Sequence, residues 1–489
     1  MTTIAAPALP LTERSATDLA AAIGAGQVSA REVVEAHIEA IERGNERVNA
    51  VVATRFNEAR AEADAADARV AATGDPAELP PLLGVPCTIK ESFAVAGLPQ
   101  SAGLHHRREW HAPANSTAVQ RLVDAGAIPL GVTNLSELTL WIESTNRVYG
   151  RTNNAYDRRR TAGGSSGGEG AAIGSGFAPF GIGTDFGGSI RIPAFFNGVF
   201  GHKPTGSLVP HTGHFPVPKG EIGSRLLGIG PLARRAEDLW PVVVALAGPD
   251  GVDPTVADLD LGDPADVSIE GLRVMISDEA TVWPVSADLR NARIRAARAL
   301  AERGAHVRRV SLRCLRGAIQ PYLEAVRQAG SLTELLADEG YRFPPLRQLL
   351  TDGLRRRSVH TSALVISHLA ERASRHMPER MERRAAAATE ALEAEVAEAI
   401  GDGVLLHPPF ARVAPRHGGT IGRPWILGPM AAFNLLGLPA TEVPLGLDSR
   451  GLPLGVQVVA GTGRDHLSVA VALELERAFG GWMPPASIA

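Results

Sequence analysis

The stretch Gly163-Gly164-Ser165-Ser166-Gly167-Gly168, followed by Gly187-Gly188-Ser189, decides how the rest of the chain is read. Glycines packed around serines let the backbone turn sharply and bring N–H groups and hydroxyls to close range. Three chemistries compete for such a segment. A phosphate-binding loop would end in Gly-Lys-Ser/Thr, and no lysine lies between Lys90 and Lys203, so that reading fails. No GxGxxG follows a strand here, which removes the dinucleotide fingerprint. An α/β-hydrolase stays open, because Gly163–Gly167 and Gly164–Gly168 both match GxSxG and His407 and His466 lie downstream. A serine activated by a lysine is the third reading.

That third reading gains weight from the basic residues. Of 49, only Lys90, Lys203 and Lys219 are lysine, leaving 46 arginines. An arginine keeps its proton, whereas a desolvated lysine can release one and act as a base toward a serine hydroxyl. The Ser-x-x-Lys arrangement fails at every lysine, since Cys87, Phe200 and Pro216 stand three residues before them. Lys90 closes the apolar run Gly84-Val85-Pro86-Cys87-Thr88-Ile89. A strand end in a parallel sheet is where catalytic groups gather, and burial there lowers a lysine pKa. Lys203 reads as a structural charge and Lys219 as an exposed loop residue.

Working outward, the 489 residues are 45% hydrophobic and 21% charged, with a net charge of −4. That composition fits a packed core and provides no global field for nucleic acid or an anionic membrane. Two cysteines, Cys87 and Cys314, give no disulfide framework, which suits a reducing, cytoplasmic setting. Met1–Pro10 lacks the charge and apolar run of a signal peptide, and the longest apolar run, Trp240–Gly248, is far short of a membrane span. The clusters His105-His106 and His211–His214 have neither HExxH context nor neighbouring cysteines, so no metal and no cofactor is expected.

Ser15 to about Val70 has helical spacing, and Ser29-Ala30-Arg31-Glu32 reads as a capping box. Leu83–Ile89 and Ala127–Val132 read as buried strands around a helix at Thr117–Ala125, a βαβ unit with a parallel sheet. A zone from about 285 to 400, rich in Arg, Ala and Glu, reads as helical and includes a helix at Arg383–Ile400. Its cluster Arg355–Arg357 reads as a solvated face. Strands return at about 420 to 480 with Gly455–Val459, and a helix at His466–Phe479 closes the chain. Strand-like pieces on both sides of the helical zone favour one domain over 1–489. Its parts are N-terminal helices (1–75), a core (76–215), a cap-like helical region (285–400) and C-terminal strands and helix (420–480).

Several separated blocks, in order, resemble the amidase signature family. They are Lys90, Gly163–Gly168 with Glu169-Gly170-Ala171, Gly183–Pro193 and Gly201-His202-Lys203-Pro204-Thr205. Gly437-Leu438-Pro439-Ala440 and Gly451–Gln457 resemble its C-terminal part, and Asn134-Leu135-Ser136-Glu137-Leu138 is similar to fatty-acid amide hydrolase-like and urethanase-like members. The resemblance implies an α/β fold, a large mixed sheet with helices on both faces. It also implies a Ser–cis-Ser–Lys triad with Ser189 as nucleophile, Ser165 as bridge on a cis peptide and Lys90 as base. The N–H groups of Phe186, Gly187, Gly188 and Ser189 would form the oxyanion hole. Ser166 would bond within its own turn, and Asp185 and Arg191 would orient the loop as an ion pair.

The apolar segment Leu138-Thr139-Leu140-Trp141 would border the substrate pocket; Phe195 and Phe196 read as core. The expected activity is hydrolysis of amides, with aryl amides, carbamates and esters included, through an acyl-enzyme, by a monomer or homodimer. The alternatives are an amidotransferase A-type subunit, dependent on protein partners and tRNA, and a fatty-acid amide hydrolase. Glu169, where such subunits carry Ser or Ala, speaks against the first.

Overall fold

A computed structural model describes residues 9–73, 75–277, 284–331, 335–336, 340–342, 344, 351, 358–374 and 379–486. The cluster Arg355–Arg357 lies outside them. Thirteen strands are described: β1 (Val51–Thr54), β2 (Pro86–Lys90), β3 (Ile128–Thr133), β4 (Thr145–Asn146), β5 (Gly150–Arg151), β6 (Phe180–Asp185), β7 (Phe200–Lys203), β8 (Gly228–Ala233), β9 (Arg273–Ile276), β10 (His306–Arg309), β11 (Val404–His407), β12 (Ala440–Leu447) and β13 (Pro453–Ala460). Eleven form one sheet in the order β1-β3-β2-β6-β8-β7-β12-β13-β11-β9-β10; β4 and β5 pair separately. The sheet is mixed: β2 is parallel to β3 and β6, while β6 runs antiparallel to β8.

Local chemistry sets the elements. Ser29 and Glu32 cap helix Ala30–Val48 reciprocally, Ser29 Oγ accepting the Glu32 N–H at 3.1 Å and Glu32 Oε2 the Ser29 N–H at 2.9 Å. Strand β2 starts later than the apolar run, because Gly84 sits in a turn at φ +75°. The crossover helix Thr117–Asp124 joins β2 to β3 as a parallel unit. Neighbouring positions on a strand face opposite sides of the sheet. On β12, Thr441 Oγ1 meets Ser468 Oγ of helix Asp465–Phe479 at 2.9 Å. Gln457, paired with the next residue Glu442, instead accepts from Arg191 of helix Arg191–Phe196. Helices therefore cover both faces.

The zone expected to be helical differs in one respect. It contains helices Ala287–Glu302, Ile319–Gln328, Ser362–Ser374 and Glu379–Ile400, but also β10, parallel to β9. The sequence of β10, His306-Val307-Arg308-Arg309, is largely exposed, as an edge strand can be, so it carries no apolar alternation. Among the described residues no helix is long and apolar enough to cross a membrane.

Candidate active site

Because β2 and β6 are parallel neighbours, their carboxyl ends bring Lys90 and Thr184-Asp185 to the same sheet edge. Lys90 is wholly buried, and its Nζ donates to Ser165 Oγ at 2.6 Å and to Thr184 Oγ1 at 2.7 Å. Burial pushes the ammonium down to about 7, against the opposing pull of Asp185 and Glu169. A lysine in that condition exchanges its proton at neutral pH.

Ser165 follows a cis peptide bond from Gly164. Its carbonyl accepts from Ser136 N–H at 3.3 Å and Ser144 Oγ at 3.1 Å. A Cβ on Gly164 would stand 2.6 Å from the Trp141 carbonyl oxygen, so no other residue fits there. Ser166 bonds not within its own turn but to β6: its Oγ donates to Thr184 O at 3.2 Å and accepts from Thr184 N–H at 3.3 Å. Ser189 is 7% exposed, and its carbonyl accepts from Ser166 N–H at 3.3 Å. No hydrogen bond between the Ser165 and Ser189 hydroxyls occurs among the described residues. Such contacts commonly tighten only with substrate bound.

The loop carrying Ser189 is organised by Asp185. Its Oδ1 accepts from Gly188 N–H at 2.6 Å, and its Oδ2 from Ile190 N–H at 3.1 Å and Arg191 N–H at 3.3 Å. Arg191 closes a buried, two-armed ion pair with it, both arms at 3.0 Å. Burial alone would raise the Asp185 pKa, but the Arg191 guanidinium holds it well below the usual carboxylate range. Asn434, Gln457 and the Met430 carbonyl complete the shell, accepting from Arg191 at 2.6, 3.0 and 3.2 Å. This corrects one expectation: the Gly188 N–H is already engaged by Asp185. The N–H groups of Phe186, Gly187 and Ser189 have no acceptor among the described residues.

Tyr322, from helix Ile319–Gln328, donates to the Phe186 carbonyl at 3.1 Å, and its hydroxyl would lie 2.6 Å from a Cβ on Gly187. The helical region therefore reaches the Ser189 loop. Glu169, which acts electrostatically on Lys90, is wholly buried and accepts from the Thr88 and Thr133 hydroxyls at 2.7 Å each. Burial pushes it up to about 7 despite those bonds.

Of the expected pocket residues, Leu138 is 1% exposed and belongs to an apolar cluster with Ala102, Leu104, Leu135, Leu336 and Leu364. Thr139, Leu140 and Trp141 are half-buried, and the Trp141 indole donates to Thr420 Oγ1 at 2.9 Å. Phe195 and Phe196 lie in the main core. Lys219 is exposed. Lys203 is wholly buried and held down to about 7, first by burial and then by Arg191; its Nζ donates to the Pro204 carbonyl at 2.9 Å. Among the described residues no His, Cys, Asp and Glu grouping could hold a metal ion.

Thr184, Tyr322, Asn434 and Gln457 went unrecognised in the sequence. Thr184 stood inside a quoted block, directly before Asp185. Gln457 likewise closed the quoted block Gly451–Gln457 without being singled out, while Tyr322 and Asn434 are common residue types in unmarked segments, and nothing in the sequence pointed to them.

A family model described as Amidase matches residues 32–469. The chain is 40% identical to human fatty-acid amide hydrolase 2 over 500 residues, spanning 97% of this chain and 91% of that protein. It is 31% identical to the A-type subunit of glutamyl-tRNA(Gln) amidotransferase from Oleidesulfovibrio alaskensis over 496 residues, spanning 95% of this chain and 97% of that one. Its fold matches that of 6-aminohexanoate cyclic dimer hydrolase in complex with substrate, with a TM-score of 0.83, 24% identity, and coverage of 98% of this chain and 100% of that one. With the ordered motif blocks and the eleven-stranded mixed sheet, these matches establish that the chain belongs to the amidase signature family, hydrolases of carbon–nitrogen bonds other than peptide bonds.

Proposed function

We propose that the chain, acting as a single unit, hydrolyses uncharged amides and aryl carbamates through an acyl-enzyme on Ser189. Lys90, neutral, takes a proton from Ser165, which takes one from Ser189 as its oxygen attacks the carbonyl. The oxyanion meets the N–H groups of Phe186, Gly187 and Ser189. The relay then runs backward, protonating the leaving amine, and water releases the acid. The observation that carries this reading is the buried Lys90, at 2.6 Å from Ser165 Oγ and pushed down to about 7.

A fatty-acid amide hydrolase-like preference is supported by the 40% identity and by the apolar cluster at Leu138. The amidotransferase reading has the 31% relative in its favour. Against it stands Glu169, whose carboxyl fills the space between Thr88 and Thr133. The test is a panel of chromogenic anilides, aryl carbamates and esters of increasing acyl length, run with wild type, Ser189→Ala and Lys90→Met. Turnover by wild type without any partner, absent from both variants, is the expected result. Turnover persisting in both variants overturns the triad, and activity requiring tRNA and partner proteins favours the amidotransferase.

A further inference from the structure

The segment from Asn134 to Ser144 wraps the Ser165 turn. Gly168 N–H donates to Asn134 O at 2.9 Å, Ser144 Oγ accepts from Gly167 N–H at 2.8 Å, and Ser136 and Ser144 both bond the Ser165 carbonyl. Two buried carboxylates tie this wrap to elements far away in sequence. Glu143 accepts from Gly418 N–H at 2.7 Å and from Thr420 N–H and Oγ1 at 3.0 and 2.6 Å. Glu137 does the same toward the helical region, its Oε1 meeting His360 Nδ1 at 2.7 Å and its Oε2 accepting from Thr361 N–H at 2.6 Å.

The second tie continues outward. His360 Nε2 meets Tyr341 OH at 2.6 Å, and Tyr341 stacks on His106 with ring centroids 4.2 Å apart. Glu137 and His360 side chains are 1% and 2% exposed. Directly after Glu137, Leu138 and Thr139 hold φ values of +55° and +57°, a region that residues with a Cβ adopt only where surroundings enforce it. Leu138 N–H is fixed on Ala102 O at 2.7 Å, and its side chain sits in a cluster built half from the core (Ala102, Leu104) and half from the helical region (Leu336, Leu364).

We infer that Glu137 is a positioning residue, and that its pairing with His360 is a specificity-determining joint. Through it the helical region sets the conformation of Leu138-Thr139 and hence the placement of the half-buried Leu140 and Trp141 that follow, the apolar wall that long acyl groups reach. This rests on the hydrolase reading above. Both ends of the Lys90–Ser165 contact are also held from β6, Lys90 Nζ by Thr184 Oγ1 and the Ser165-Ser166 turn by Ser166 Oγ on Thr184 N–H and O, so short substrates that stop before the wall do not sense the joint.

The experiment compares full-length wild type, Glu137→Ala, His360→Ala and the double variant on a short-chain and a long-chain p-nitroanilide. Amide exchange at Leu138 is read in parallel. Each single variant lowers kcat/KM for the long substrate by about tenfold, leaves the short one within about twofold, and the double variant is no worse than either single. Glu137→Gln, which can still bond both partners, restores long-chain turnover. Should Glu137→Ala fail to fold, Glu137→Asp keeps the charge, loses the reach and carries the same expectation. Equal losses on both substrates, additive losses, or no change overturn the joint. Leu138 exchange rises equally in both singles and in the double, and unchanged exchange also overturns the joint. Coupled exchange in a wild type that hydrolyses neither anilide leaves the joint standing and removes the hydrolase reading instead.

Discussion

Lys90 ends β2 and Lys203 ends β7; both are wholly buried, and burial pushes both down to about 7. What differs is the company they keep. Lys90 Nζ spends its bonds on two hydroxyls, one of them on a serine beside the Ser189 loop, while among the described residues Lys203 Nζ meets only the Pro204 carbonyl. A carbonyl has no proton to give, so a labile lysine facing one has no relay to join. Proton lability is thus a property of burial, and a base is made by what the burial places within reach.

The sharpest way to break that contrast is to remove each lysine in turn. Lys90→Met is expected to lower kcat by about 10²–10⁴-fold, the range of a lost general base. Ser189→Ala should lower it by at least about a thousandfold, as nucleophile removal does. Lys203→Met should stay within about fivefold of wild type, because its removal takes no partner from a reacting hydroxyl. Initial rates on one anilide decide it; a Lys203→Met loss as deep as that of Lys90→Met would abolish the distinction.

The next effect tests the shell that separates the two lysines. Asp185 pulls electrostatically on both and pairs with Arg191. Asp185→Asn leaves the Arg191 guanidinium buried without its counter-charge, which costs about 3–5 kcal/mol of stability. Urea unfolding measures this. A change below about 1 kcal/mol would mean that Asn434, Gln457 and the Met430 carbonyl satisfy Arg191 without a counter-charge.

Smaller again is the effect of crowding the Ser189 loop. Gly188 stands at φ +114°, and a Cβ there would lie 2.9 Å from both Ile192 Cδ1 and Met430 Cβ. Gly188→Val should therefore lose about a hundredfold or more in kcat while circular dichroism stays native, since the loop shifts its N–H donors away from the oxyanion. The equivalent crowding near Lys203, at Gly228 beside Lys203 Cγ, should leave kcat within a few fold. Normal turnover in Gly188→Val would sink the oxyanion assignment.

That Lys90 and the two serine turns deserved a close look was legible because rare residue types stood in rare local patterns, a lone lysine closing an apolar run and serines fenced by glycines; the fold brings Lys90 onto Ser165, and the Ser189 carbonyl onto Ser166 N–H. The βαβ unit was legible for the same local reason. Three things were not. The edge strand β10 carries two arginines and no alternation, because an exposed edge imposes none. Arg191 finds Asn434 and Gln457 more than two hundred residues away, and those partners are ordinary amides whose meaning lies only in where the sheet brings them. The Gly188 N–H looked like an oxyanion donor because consecutive glycines expose N–H groups; only the fold shows Asp185 already accepting it.

The gentlest probe of the two lysines is pH. Each has a folded pKa of about 7 against an ordinary 10.5, so between those values the unfolded chain binds protons that the folded chain does not. Stability therefore rises with pH across that window, and the full penalty applies below about 7. Glu169 and Glu91, pushed up to about 7 by burial, act in the opposite sense between about 4.5 and 7, because there the folded chain holds the extra proton. The lysines are consequently read between about pH 7 and 9, below the range in which the buried Cys87 and Cys314 thiols and Arg234 come into play. In that range Lys203→Met should flatten the rise in unfolding free energy by about half, the share of one of two like groups. The same variant should leave the activity profile in place, kcat/KM still climbing through about pH 7 as the Ser–Lys unit loses its proton, an apparent value that belongs to the coupled pair. If Lys203→Met instead moved the activity limb and spared the stability slope, the labile lysine serving the reaction would be the one at the end of β7.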